Sequence, residues 1–183
     1  PFRPMPLMVE GLERLRTPCA VVANHQSNID PFVLMAVLPI DLCIVGKSEL
    51  ARSVWTRLPL NRIGVEYVER GDATQSLADA RRILQRAKSR RTTLVFFPEG
   101  THSRVSGLLP FRMGAFSTAA QAGLPVVPVV LQGTRSILRS DTWLPRRGAV
   151  RVVIGPPVAP RGKDFAAALD LARTVRAYML QQT

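Results

Sequence analysis

The chain has 183 residues, 46% of them hydrophobic and 21% charged, which fits one globular domain with a full core. Lys and Arg number 25 against 13 Asp and Glu, a formal net charge of +12, so anionic partners are expected and a domain built to meet a cationic surface is disfavoured. The longest apolar run, Pro31 to Ile40, is ten residues, well short of the ~18 to 20 of a membrane-crossing helix, so no transmembrane segment is expected.

Residues 1–18 carry three prolines in the first six positions and mixed charge, and read as a connecting arm, with the domain proper at 19–183. Pro1 and Phe2 show neither an initiator Met nor a signal-peptide pattern, pointing to a domain of a longer protein. Cys19 to Ala23 reads as the first strand, followed by a helix from Pro31 to Leu38. Leu42 to Val45 is the next strand, Ser48 to Leu58 a helix, and Val65 to Val68 a third strand.

Over Asp72 to Lys88 the apolar residues Leu77, Ala80, Ile83, Leu84 and Ala87 fall on one helical stripe, with Arg81, Arg82, Arg86 and Arg90 opposite. Thr92 to Phe97, Val126 to Leu131 and Val150 to Ile154 complete the strands, with helices at Arg112 to Ala122, closed by Gly123, and Asp164 to Leu180. This alternation predicts a single α/β domain, with a mixed, largely parallel central sheet and helices on both faces. Cys19 and Cys43 sit in apolar runs without partners at metal-ligand spacing, so they read as reduced core thiols, the default of a cytoplasmic compartment.

Chemistry-bearing residues cluster at strand ends. Asn24-His25-Gln26-Ser27-Asn28-Ile29-Asp30 follows the first strand and precedes a helix, where α/β folds place ligand-binding groups. Across this turn Asp30 is able to fix one imidazole nitrogen of His25 and leave the other to take a proton from a hydroxyl; alternatively, Asp30 is simply the N-cap of the helix. Phe96-Phe97-Pro98-Glu99-Gly100-Thr101-His102-Ser103-Arg104 is rich in donors and has a flexible glycine, a composition suited to an anion, with Glu99 able to accept from substrate hydroxyls; a plain polar turn is the alternative. Arg70 emerges at the end of Gly64-Val65-Glu66-Tyr67-Val68-Glu69-Arg70, and Val127-Pro128-Val129 stands in a later strand.

These four segments, in this order, resemble the glycerolipid acyltransferase family, best known through 1-acyl-sn-glycerol-3-phosphate (lysophosphatidic acid) acyltransferases. Asn24, His25 and Asp30 match its first motif; Gly64, Tyr67, Val68 and Arg70 its second; Phe97, Pro98, Glu99, Gly100, Thr101 and Ser103 its third; Val127, Pro128 and Val129 its fourth. The resemblance runs from about Val9 through Pro157 and includes Lys47, Glu49 and Leu50. His102 departs from it, standing where the third motif usually has Arg; Arg104 is the candidate replacement.

The resemblance implies that His25 is a general base oriented by Asp30, and that Arg70, Glu99, Gly100, Thr101, Ser103, Arg104 and Lys47 bind the phosphoglycerol headgroup of a lysophospholipid acceptor. The acyl donor would be acyl-CoA or acyl carrier protein, with no metal or cofactor, no acyl-enzyme and no nucleic-acid partner. Peripheral attachment to an anionic membrane surface on the cytoplasmic side is expected with it; Trp55 and Trp143 read as interfacial contacts or, alternatively, as core or rim packing. Rival readings are an acyltransferase for lysophosphatidylethanolamine or glycerol 3-phosphate, a thioesterase, and a non-catalytic basic membrane-binding domain.

Overall fold

The computed structural model describes residues 6–47, 65–68, 82–85, 89, 92–101, 107–139, 142 and 144–183. The β-branched runs form strands β1 (Leu7–Glu10), β2 (Ala20–Ala23), β3 (Leu42–Lys47), β4 (Val65–Val68), β5 (Thr93–Phe96), β6 (Val126–Gln132) and β7 (Val150–Ile154). They make one seven-stranded sheet in the order β1-β7-β6-β2-β5-β3-β4. Strands β6, β2, β5, β3 and β4 run parallel, whereas β7 pairs antiparallel with β6 and parallel with β1. The carboxyl ends of the five parallel strands therefore share one rim of the sheet, the rim where an α/β sheet binds ligands.

Helices α1 (Asp30–Val37), α2 (Gly114–Ala122), α3 (Thr134–Ile137) and α4 (Phe165–Gln182) cover both faces. The period-two alternation of the central strands sorts the core into two layers. Val21 and Ala23 of β2 pack with Val127 and Val129 of β6 against Leu34 of α1 and Ile137 of α3. Ala20 and Val22 join Leu94, Phe96 and Val130 against Phe116 of α2 and Leu171, Val175 and Met179 of α4. The architecture is the single α/β domain expected, with a mixed and largely parallel sheet.

Local chemistry sets the helix ends. Asp164 caps α4, its carboxylate accepting from the Ala167 N–H at 2.8 Å. Gly123 closes α2 in the left-handed region at φ 66°, its N–H reaching the Ala119 and Ala120 carbonyls. The basic amphipathic helix expected over Asp72 to Lys88 is described only at 82–85, which is helical, with Ile83 buried and Arg82 exposed as the stripe requires. The helix expected at Ser48 to Leu58 lies outside the described residues, as do Trp55 and Trp143.

One expectation is corrected. Part of the segment read as a connecting arm, residues 1–18, is an integral edge of the sheet: Leu7–Glu10 pairs with Val150–Val153 of β7. The three prolines precede a short β-prone stretch whose four side chains are all exposed, so it lacks the apolar–polar alternation that betrays a half-buried strand. Its position is fixed by backbone pairing and by the Arg151 guanidinium, which donates to the two Glu10 carboxylate oxygens at 2.7 and 2.9 Å. Strand β3 also runs two residues beyond its expected end, because Gly46 and Lys47 pair with Tyr67 and Val68 of β4.

The short helix α3 was not legible in sequence, and Gly133 makes it possible. Its φ of 88° lies in the left-handed region, and a Cβ there would run into the Ala149 carbonyl oxygen. Gly133→Ala is expected to lower unfolding free energy by about 2 kcal/mol or more through strain and this clash. Urea denaturation measures it, with an unchanged midpoint as the contrary result.

Candidate active site

Strand β2 lies at the centre of the sheet between β5 and β6, and its carboxyl end carries Asn24 and His25. Backbone pairing of β2 stops at Val22 opposite Phe96 of β5, and at Ala23 opposite Val129 of β6. Beyond those points side chains replace the ladder. The Asn24 carboxamide is buried and bonds Leu131 of β6 twice, its Nδ2 donating to the carbonyl at 2.9 Å and its Oδ1 accepting from the N–H at 2.7 Å. On the other side the His25 N–H donates to Glu99 Oε1 at 2.8 Å.

The turn from His25 to Asp30 closes on one atom. Asp30 Oδ2 accepts from the Gln26 N–H at 2.6 Å and the Ser27 N–H at 2.7 Å, and lies 2.9 Å from His25 Nδ1. A carboxylate only accepts, so the contact suits the tautomer in which Nδ1 carries the proton. The carboxylate is fully buried and turned back onto the loop that carries His25, and α1 has no side-chain cap bond at its N-terminus. The N-cap reading of Asp30 therefore does not describe this turn.

The imidazole packs on Phe97, ring centroids 4.4 Å apart and planes tilted by 30°, with 18% of its side-chain surface exposed. Ser27 anchors the turn to the residue that ends α3, its hydroxyl donating to the Leu138 carbonyl at 2.7 Å.

Glu99 is 5% exposed, and its second oxygen accepts from the Leu109 N–H at 2.8 Å. Burial pushes its carboxyl above the ordinary carboxylate range, while the N–H groups of His25 and Leu109 pull the other way. Next to it, Gly100 adopts φ 73° with its N–H on the Phe97 carbonyl at 3.0 Å, and Thr101 is exposed. Lys47 ends β3 opposite Val68, on the rim that also carries His25. Arg70, Ser103 and Arg104, together with His102, lie outside the described residues.

The structure thus brings His25, Asp30, Glu99, Gly100 and Thr101 to the carboxyl ends of neighbouring strands β2 and β5. Asn24, Ser27 and Phe97, none of them a predicted site residue, hold the histidine in place. A polar amide directly after an all-apolar strand is the signal that marks Asn24.

A family model described as Acyltransferase matches residues 6–132. The chain belongs to this acyltransferase family. The domain is 34% identical over 154 residues to a chloroplastic 1-acyl-sn-glycerol-3-phosphate acyltransferase of Brassica napus, covering 82% of this chain and 44% of that one. It is 32% identical over 163 residues to the 1-acyl-sn-glycerol-3-phosphate acyltransferase of Escherichia coli, covering 88% and 65%.

The crystal structure of the 1-acyl-sn-glycerophosphate (LPA) acyltransferase PlsC from Thermotoga maritima matches with a TM-score of 0.76 at 27% identity, over 97% of this chain and 70% of that one. The acyltransferase domain described here spans about half the length of the plant relatives it matches.

Asn24→Ala leaves the Leu131 N–H and carbonyl without partners in the core. At about 1 to 3 kcal/mol per orphaned buried group it is expected to destabilise the domain by roughly 2 to 6 kcal/mol. Chemical denaturation checks this, and a loss under about 0.5 kcal/mol, the ordinary range of a surface substitution, would count against it.

Proposed function

We propose that this acyltransferase domain moves a fatty acyl group from acyl-CoA or acyl carrier protein to the free hydroxyl of a lysophospholipid, 1-acyl-sn-glycerol 3-phosphate, giving phosphatidic acid. The observation that carries the reading is the 2.9 Å contact between His25 Nδ1 and the buried Asp30 carboxylate at the end of the central strand. The names of the relatives supply the acceptor.

In this reading His25 Nε2 takes the acceptor hydroxyl proton as the oxygen attacks the thioester carbonyl. Asp30 holds the ring and stabilises the imidazolium. Collapse of the tetrahedral adduct breaks the carbon–sulfur bond, and the proton passes from His25 to the departing thiolate. An acyl-cysteine intermediate is not needed, because the thioester is already activated; Cys19 is buried, and burial pushes its thiol up to about 11.

Arg70, Ser103, Arg104 and Lys47, with Gly100 and Thr101, would receive the acceptor phosphate as charged and polar donors. The net charge of +12, together with exposed Phe32, Leu144, Arg139, Arg146 and Arg147, supports approach to an anionic membrane surface. No helix among the described residues is long and apolar enough to cross a membrane. Peripheral attachment on the cytoplasmic side is part of this proposal.

Thiol release from palmitoyl-CoA in mixed micelles tests the proposal. Release is expected to require lysophosphatidic acid, and His25→Ala and Asp30→Asn are each expected to lower kcat by about 10² to 10⁴ with the fold intact by circular dichroism. Equal release without acceptor would make the domain a thioesterase, and full activity of His25→Ala would remove the base. Arg70→Ala is expected to raise the acceptor KM roughly 10- to 100-fold, the loss of one charge-assisted contact. A raised acyl-donor KM with the acceptor KM unchanged would reassign Arg70.

A further inference from the structure

The third motif led to the expectation that Glu99 accepts hydroxyls of the acceptor, and the geometry points to a different task. We propose that Glu99 is a positioning residue that holds the main chain of His25 and of Leu109, and that it does not touch the acceptor. In its functional part this rests on the acyl-transfer reading above.

Parallel strands β2 and β5 separate after Val22 and Phe96, the last pair in register. Past that point the Glu99 side chain takes the His25 N–H at 2.8 Å. The other carboxylate oxygen takes the Leu109 N–H, also at 2.8 Å. One buried side chain thus joins the turn that carries His25 to the segment around Leu109.

That segment is itself fixed. The Arg112 N–H donates to the Pro98 carbonyl at 2.8 Å, and the Arg176 guanidinium of α4 stands 5.7 Å from the centre of the Phe111 ring. With both oxygens engaged and the residue 5% exposed, Glu99 is poorly placed to meet a hydroxyl from outside. It is well placed to set where the imidazole sits. A base displaced by a fraction of an ångström loses alignment with the hydroxyl it deprotonates, so the cost falls on the chemical step.

Glu99→Gln is nearly isosteric but offers one oxygen and an NH2 group, which must face one of the two N–H donors. In the thiol-release assay its kcat is expected to fall about 10- to 100-fold while the lysophosphatidic acid KM stays within about twofold. A raised KM with kcat preserved would make Glu99 an acceptor ligand and overturn the proposal.

A second readout needs no turnover. Amide hydrogen exchange of the full chain by NMR is expected to show the His25 and Leu109 N–H groups protected in the wild type and faster in Glu99→Gln, with Val22 unchanged. If Glu99→Gln does not fold, Glu99→Asp, which keeps the charge but is too short to reach both donors, serves instead and is expected to expose at least one of the two amides.

Unchanged protection of both amides in the variant overturns the proposal, as does loss of their protection when glycerol 3-phosphate is added to the wild type. Absence of acyl transfer by the wild type would remove the proposed function, and the exchange data would still decide what Glu99 does.

Discussion

The turn between β2 and α1 depends on one oxygen atom. Asp30 Oδ2 gathers the Gln26 and Ser27 N–H groups and lies within hydrogen-bond distance of His25 Nδ1, all within 2.9 Å. Those contacts make a loop behave as a rigid mount, because each backbone N–H that would otherwise need solvent is satisfied by a buried charge. They also favour one ring tautomer, so the same interaction that orders the chain sets which imidazole nitrogen carries the proton. The other carboxylate oxygen, Oδ1, is buried and has no donor among the described residues, so the hydrogen bonding of Asp30 is directed wholly at this turn.

That mount stands on the most protected part of the sheet. Strand β2 is flanked by β5 and β6, and its four residues are buried on both faces by α1 and α3 on one side and α2 and α4 on the other. Asn24 and Glu99 then carry the hydrogen-bonding pattern one step beyond the ladder on either side, where the parallel strands diverge. Buried polar groups of this kind are costly unless fully paired, and here both backbone neighbours supply the pairing. The result is a histidine that is rigidly based yet partly open at the rim.

Much of this was readable from residue order. The β-branched runs located six of the seven strands, the Asn-His and later Asp spacing located the turn, and the Phe-Pro-Glu-Gly-Thr run located the neighbouring loop. The helix of Asp164 to Leu180 was legible because its stripe is long and its cap is an Asp. Strand β1 was missed because four exposed residues beside prolines carry no periodic signal, and α3 because four residues are too few to show one. Their positions depend on partners far away in sequence, Arg151 for β1 and the Ala149 carbonyl beside Gly133 for α3.

The sequence by itself determined which groups are present and that they fall at strand ends, because strand and helix periodicities are local properties and a five-residue separation of His25 and Asp30 lies within the reach of one turn. Only the tertiary structure decided what each group faces. Whether Glu99 meets solvent or two main-chain N–H groups, and what the Asn24 amide bonds, depends on how β2, β5 and β6 are set side by side. Those strands are separated by about 70 to 110 residues of chain, as the spacings of His25 to Glu99 and Asn24 to Leu131 record. Register between such distant strands comes from the packing of both helical layers, and local pattern does not carry it.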